Sequence, residues 1–135
     1  MAIRLALMED IPLLDRYDRH ISREELINSI RLGRVYICEE ADGRFAGWLR
    51  YGLFWDNTPF MNMLYLLEGS RGRGYGRAMT LRWEEDMRSL GYETVMTSTV
   101  CVECAQHFYY RLGYKTIGGF ALEGDPYEII LAKKL

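Results

Sequence analysis

The chain has 135 residues, of which 49% are apolar and 27% charged, and carries a formal net charge of -2. That composition belongs to a folded domain rather than a disordered or fibrous chain, and its weak acidic balance excludes broad binding to nucleic acid or to an anionic membrane, which shows as a basic excess. A chain of this length buries about two-thirds of the surface its unfolded form exposes, so one domain over residues 1–135 is expected, with no disulfide or metal needed to fold it.

The first ten residues, Met1 to Asp10, have Arg4 inside their apolar part and are too short in it for a signal peptide. Ile3, Leu5 and Leu7 alternate like a strand. A helix is expected from about Asp10, with Pro12 in its first turn, where a missing N–H costs nothing. In the second helix Ser22 and Glu25 have capping-box spacing, Leu26, Ile27 and Ile30 form the apolar stripe, and Gly33 stands where a C-terminal glycine belongs. Two strand-like runs, 34–40 and 44–53, flank Asp42-Gly43, a hairpin signal.

After the turn-rich Asp56-Asn57-Thr58-Pro59, the nearly all-apolar run 60–67 reads as a strand buried on both faces at the centre of the sheet. It contains the longest apolar stretch, Met63 to Leu67, far below the roughly 18 residues of a membrane span. Gly69 to Gly76 then feeds a long helix that places Tyr75, Met79, Trp83, Met87 and Leu90 on one face and ends at Gly91. A strand over 92–99, a helix from Glu103 to Leu112 closed by Gly113, and strands over 115–122 and 127–133 complete the chain. The expected order is β-α-α-β-β-β-α-β-α-β-β, a mixed α/β sheet with helices on its faces.

The most informative segment is Arg71-Gly72-Arg73-Gly74-Tyr75-Gly76-Arg77, between a central strand and the start of an amphipathic helix. A helix N-terminus offers unpaired N–H groups and the positive end of the macrodipole, and glycines let the backbone wrap closely around an anion. Three arginines in seven residues add charge-assisted donors, which match a ligand carrying several phosphates better than a single carboxylate. The mononucleotide P-loop is excluded because Gly76-Arg77-Ala78 lacks its Lys and hydroxyl; the dinucleotide fingerprint fails because its third glycine would fall on Arg77. The plain alternative is a solvated basic turn that only caps a helix.

This loop resembles the signature of the GNAT superfamily of N-acetyltransferases, Arg/Gln-x-x-Gly-x-Gly/Ala between the fourth strand and the third helix, matched by Arg71, Gly74 and Gly76. Downstream, 105–114 resembles the family's penultimate helix, with Phe108-Tyr109 and the closing Leu112-Gly113-Tyr114. The element order resembles that fold end to end. The resemblance implies an α/β (α+β) fold with a mixed, mostly antiparallel seven-stranded sheet flanked by about four helices.

It also implies acetyl-coenzyme A as cosubstrate, without metal, and transfer of the acetyl group to a primary amine by direct attack in a ternary complex. Arg71, Gly72, Arg73, Gly74, Tyr75, Gly76 and Arg77 take the pyrophosphate role. A backbone N–H at Leu66 or Leu67 takes the role of polarising the thioester carbonyl. Tyr109 takes the role of general acid, since a phenol suits protonation of a departing thiolate; Tyr110 stands about 100° further round the helix. Family members often carry a glutamate base on a central strand, whereas the fourth strand here has Asn62 and Met63 and no carboxylate before Glu68. Asp56 or Glu40, acting through water, or an acceptor that arrives deprotonated, remain as sources of the base function. Val102 stands where many members have an asparagine touching the cofactor.

Tyr51, Trp55 and Asp56 are candidates to cradle a cationic amine, with an ordinary turn over 54–60 as the plain alternative; His20 reads first as an exposed loop histidine and second as a residue within reach of the acceptor cleft, while His107 faces solvent. The odd count of three cysteines fits poorly with a disulfide framework, and a lone Cys101-x-x-Cys104 with only two histidines in the chain makes zinc a poor fit. Alternatives from other classes are a non-catalytic acyl-coenzyme A-binding module and a dithiol redox protein. The expected partner is a small-molecule amine or a protein or peptide amine, with no nucleic acid or membrane, in the cytoplasm, with a homodimer as the one assembly considered.

Overall fold

Alternating apolar residues bounded by short turns give strands, and the periodic runs between them give helices. The computed structural model describes residues 1–102 and 104–135. Its elements are β1 (Ala2–Leu5), α1 (Ile11–Tyr17), α2 (Arg23–Arg31), β2 (Val35–Glu39), β3 (Phe45–Phe54), β4 (Thr58–Leu66), α3 (Tyr75–Ser89), β5 (Thr94–Val100), α4 (Ala105–Arg111), β6 (Lys115–Phe120) and β7 (Glu128–Lys134). The described residues form a seven-stranded sheet ordered β1-β2-β3-β4-β5-β7-β6, so β4 is central as the sequence predicts. The β4–β5 pair is parallel, with Phe60 opposite Met96 and Met61 opposite Thr97. Among the described residues no helix is long and apolar enough to cross a membrane.

The chain divides into two compact units, residues 1–52 with 63–80, and residues 53–62 with 81–135. In the first, β1 pairs antiparallel with β2 and β2 with β3. Leu14, Leu26, Ile30, Val35 and Ile37 form a buried cluster with Trp48. Ser22 caps α2 by accepting the Glu25 amide at 3.2 Å, and Gly33 follows that helix at φ 70°, a left-handed position that suits glycine. At the hairpin Asp42 accepts the Arg44 amide at 3.1 Å and Gly43 adopts φ 86°.

One buried carboxylate joins the helices to the sheet in this unit. Asp18, which ends α1 with its side chain 0% exposed, accepts two bonds from the Arg50 guanidinium at 2.6 and 3.3 Å. The Trp48 indole N–H adds a third at 3.0 Å and the His20 amide a fourth at 3.1 Å. Burial pushes the Asp18 carboxyl up, but the hydrogen bond and charge of Arg50, joined by the His20 amide and the Trp48 indole, outweigh it and hold the group below the usual carboxylate range.

In the second unit β7 pairs antiparallel with both β5 and β6. Val95 and Leu131 are fully buried, as are Trp83 and Met87 on the later turns of α3. Glu84 is also buried; it accepts Tyr114 Oη at 2.9 Å and Lys133 Nζ at 2.7 Å. The periodicity of α3 gives no warning of a carboxylate on its inner face, because the partners come from distant parts of the chain.

Two burial expectations are corrected. The run 60–67 is not buried on both faces: Asn62 and Tyr65 are exposed and Met63, Leu64 and Leu66 half-buried. An apolar run reports buriable surface and does not say what covers it. Leu90 is 67% exposed, because α3 ends at Ser89 and the helical period that would turn Leu90 inward ends there. The predicted helix start at Glu103 lies outside the described residues; α4 is described from Ala105.

Removing one member of a buried ion pair strands the other, so Asp18→Ala is expected to lower unfolding stability by about 3 kcal/mol. A carboxyl with a depressed folded value contributes stability above its unfolded value of about 3.9 and loses it as pH falls through the folded value. Denaturant titrations should therefore show the wild-type advantage over Asp18→Ala intact at pH 7 and shrinking in acid below pH of about 4.

Candidate functional site

The chain leaves β4 with the Leu67 amide bonded to the Ala46 carbonyl at 2.8 Å, then makes a short 3-10 turn over Glu68–Ser70. Gly72 and Gly74 adopt φ 72° and 82°, left-handed values that cost a side-chain-bearing residue about 1 kcal/mol. The Gly74 carbonyl accepts the Ala78 amide at 3.0 Å, so the amides of Tyr75, Gly76 and Arg77 stand ahead of the first intrahelical bond of α3. A Cβ at Gly72 or Gly74 would meet no protein atom within 4 Å. Packing does not demand glycine there; the backbone turn does, and the space in front is open for a ligand.

Arg71 and Arg73 of the loop are held by the protein. Arg71 Nε donates to the Leu66 carbonyl at 2.9 Å, with its guanidinium 5.0 Å from the Tyr65 ring centroid. Arg73 pairs with Glu40 at 3.0 Å and lies 4.9 Å from the Tyr75 ring centroid. Glu40 also accepts Ser70 Oγ and Tyr75 Oη, each at 2.7 Å. The Ser70 and Tyr75 hydrogen bonds hold the Glu40 carboxyl below its ordinary range, and the same contact raises the Tyr75 phenol. Glu40, considered from the sequence as a base, is thus a fixed counter-charge for the loop. Arg77 is exposed on the first turn of α3.

These features fit a polyphosphate group: open left-handed glycines, a 15-residue helix aimed from its N-terminus, and guanidinium groups alongside. Of the two backbone donors proposed from the sequence, the Leu67 N–H is already spent on Ala46, and Leu66 stands beside it. Gly47 on β3 is the residue that sequence reasoning missed. A Cβ there would lie 2.3 Å from the Tyr65 carbonyl oxygen and 2.7 Å from Leu66 Cδ2. Only glycine lets β4 come this close at Tyr65 and Leu66, and a glycine in the interior of a strand-like run is the signal that could have found it.

The same unit holds an open cleft of about 280 Å³ whose walls include Tyr17, Trp48 and Tyr65. Trp48 lies 5.1 Å from the Tyr65 ring and 6.3 Å from Tyr17, centroid to centroid. Arg19 and His20, from the α1–α2 connection, and Glu68, from the turn after β4, also line it. His20 is an exposed residue of the α1–α2 connection, as the sequence predicts, and lines this cleft. The aromatic walls were not foreseen, because they come from three separate elements. Tyr51, in the same unit, is 6% exposed and so offers little surface to a ligand.

In the second unit Tyr109 is 6% exposed, with its hydroxyl 3.7 Å from Met61 Sδ. Burial raises its phenol, and a Thr97 hydrogen bond works the other way, so it stays protonated through neutral pH. Its rival Tyr110 is exposed and shares a 2.7 Å hydrogen bond with Thr116 Oγ1. Trp55 and Asp56 form the β3–β4 turn with φ 55° and 63°, a type of turn normally made by Asn-Gly. The Trp55 ring is 80% exposed and lies 4.7 Å from Phe54. Cys101 is half-buried, Cys104 exposed and Val102 80% exposed; Glu103 between them lies outside the described residues.

The central strand of a seven-stranded α/β sheet thus feeds a glycine loop at a helix N-terminus, an arrangement suited to a phosphate-bearing ligand. The model of the acetyltransferase (GNAT) family matches residues 5–114, and the chain belongs to that family. It is therefore an acyltransferase. An uncharacterized N-acetyltransferase of Methanocaldococcus jannaschii is 25% identical, with 99% of this chain and 92% of the relative covered. The crystal structure of Ard1 from Thermoplasma volcanium superposes with TM-score 0.85 at 14% identity, covering 99% of this chain and 97% of that one. The PaiA N-acetyltransferase of Thermoplasma acidophilum, solved in complex with coenzyme A, superposes with TM-score 0.80 at 20% identity over 99% and 98% of the two chains.

Gly47→Ala tests the contact between β3 and β4. The added methyl must displace the Tyr65 carbonyl, at an expected cost of about 1–3 kcal/mol in denaturant unfolding. Gly43→Ala, where a Cβ meets nothing within 4 Å and only the left-handed φ opposes it, should cost about 1 kcal/mol.

Proposed function

We propose that the protein transfers an acetyl group from acetyl-coenzyme A to a primary amine by direct attack, with both substrates bound together. The observation that carries this reading is the loop 71–77: two open, left-handed glycines immediately before the free amides of a long helix. In this reading the amides of Tyr75 to Arg77 and the guanidinium groups hold the pyrophosphate. The Leu66 N–H meets the thioester carbonyl oxygen as it becomes an oxyanion.

The amine nitrogen forms the new C–N bond, the C–S bond breaks, and the thiolate takes a proton. Tyr109 supplies that proton, a role assigned on the Phe-Tyr match and supported by a buried hydroxyl that remains protonated at neutral pH. The nitrogen releases its own proton to water through Glu68, the unpaired carboxylate on the cleft wall. Glu40 is left out of the chemistry because its ion pair and two hydrogen bonds support the loop.

Calorimetric titration with acetyl-coenzyme A should give saturable binding that Gly74→Val removes, since a β-branched side chain is strained at φ 82° and fills the space a phosphate needs. Tyr109→Phe should bind the cosubstrate as wild type does and release thiol about 100-fold more slowly at saturation. Unchanged turnover in Tyr109→Phe would remove the tyrosine from the mechanism, and binding without thiol release for any amine would make the protein a non-catalytic coenzyme sensor.

A further inference from the structure

The cleft in the first unit has a charge pattern that narrows the acceptor. Its apolar lining is the exposed rings of Tyr17 and Tyr65, with the buried Trp48 behind them, and Met63 and Leu67, so the middle of any occupant meets apolar faces. Arg19 and His20 enter from the α1–α2 connection and Glu68 from the end of β4. Among the described residues the side chains of Arg19, His20 and Glu68 take part in no hydrogen bond or ion pair. Asp18, next in the chain to Arg19, is consumed by Arg50 and Trp48 and neutralises nothing in the cleft. An unpaired guanidinium and an unpaired carboxylate thus come from two different connections to line one cleft.

We propose that this cleft selects a free α-amino acid with an apolar or aromatic side chain as acetyl acceptor, its carboxylate met by Arg19 and its ammonium by Glu68. The inference rests on the acetyltransferase reading above and names the substrate class of that site. Guanidinium is the side chain best shaped to pair with a carboxylate. Glu68 follows Leu66 and Leu67 directly, which sets the amine end beside the backbone donor assigned to the thioester carbonyl. The volume of about 280 Å³ falls just below the range of about 300–1,000 Å³ typical of small-molecule sites, in keeping with an occupant as small as an amino acid. A polyamine is disfavoured. It would bring several ammonium groups against Arg19 and only the single carboxylate of Glu68.

The test compares L-phenylalanine with L-phenylalaninamide, spermidine and a short peptide beginning with phenylalanine. Each is titrated calorimetrically into the full chain, with and without acetyl-coenzyme A, and each is assayed for thiol release. The expected result is a preference of about tenfold for the amino acid over its amide, in affinity and in kcat/KM, because the amide leaves the guanidinium unpaired. In Arg19→Ala, an exposed position, that ratio should fall to near one, while Glu68→Gln should weaken amino acid and amide alike.

The proposal is overturned if the amide, spermidine or the peptide is used as well as the amino acid, if the amino acid does not bind, or if the ratio survives in Arg19→Ala. A preference for the amino acid in a protein that does not bind acetyl-coenzyme A would support the cleft assignment and sink the acetyl-transfer reading. Cosubstrate binding without the preference would do the reverse.

Discussion

The bond between the Asp18 carboxylate and the Arg50 guanidinium is the constraint on which the first unit's chemistry depends. A carboxylate with no exposed side-chain surface is tolerated only if its charge and lone pairs are answered, and here Arg50, the Trp48 indole and the His20 amide answer them. Each partner is thereby fixed. Arg50 and Trp48 belong to β3, so the end of α1 is tied to the sheet. The His20 amide bond sets the path of the α1–α2 connection, and the indole bond sets the orientation of the ring that forms the cleft wall. A packing solution and a recognition surface come from the same four hydrogen bonds.

The glycine loop shows a second use of an internal counter-charge. Arginines grouped at a helix N-terminus repel one another and the macrodipole in the absence of an anion. Glu40 offsets part of this by pairing with Arg73 while accepting Ser70 and Tyr75, and Arg71 is drawn to the Leu66 carbonyl and the Tyr65 ring. The loop therefore has defined geometry before any ligand arrives, which lowers the ordering cost that binding would otherwise carry. Gly47 adds the steric part, since only a residue without Cβ allows β3 and β4 the approach seen at Tyr65 and Leu66.

The second unit places its polar groups differently. Glu84 on α3 collects Tyr114 and Lys133 in a buried network, which ties the helix to β7 and to the residue just before β6. Tyr109 packs edge-on to Phe108 and Tyr114, at 5.1 and 5.4 Å between ring centroids. Such packing restricts the ring to a narrow range of orientations. It is also the reason that a helical stripe containing Tyr109 reads equally as packing and as chemistry when only the sequence is seen.

Local rules settled much of this protein in the sequence itself. Strand and helix order, the Ser22 cap, the Asp42-Gly43 hairpin and the position of the glycine loop ahead of α3 depend on neighbouring residues, and their signals lie within a few positions of one another. The family motif and the reading of a phosphate-binding loop were legible for the same reason. Tertiary structure alone decided what required residues far apart in the chain: Glu40 as counter-charge to Arg73, Gly47 against Tyr65, Glu84 between Tyr114 and Lys133, and an aromatic cleft drawn from α1, β3 and β4. It also decided that the apolar β4 keeps Tyr65 exposed, because hydrophobicity fixes how much surface can be buried and only the arrangement of neighbours fixes how much is.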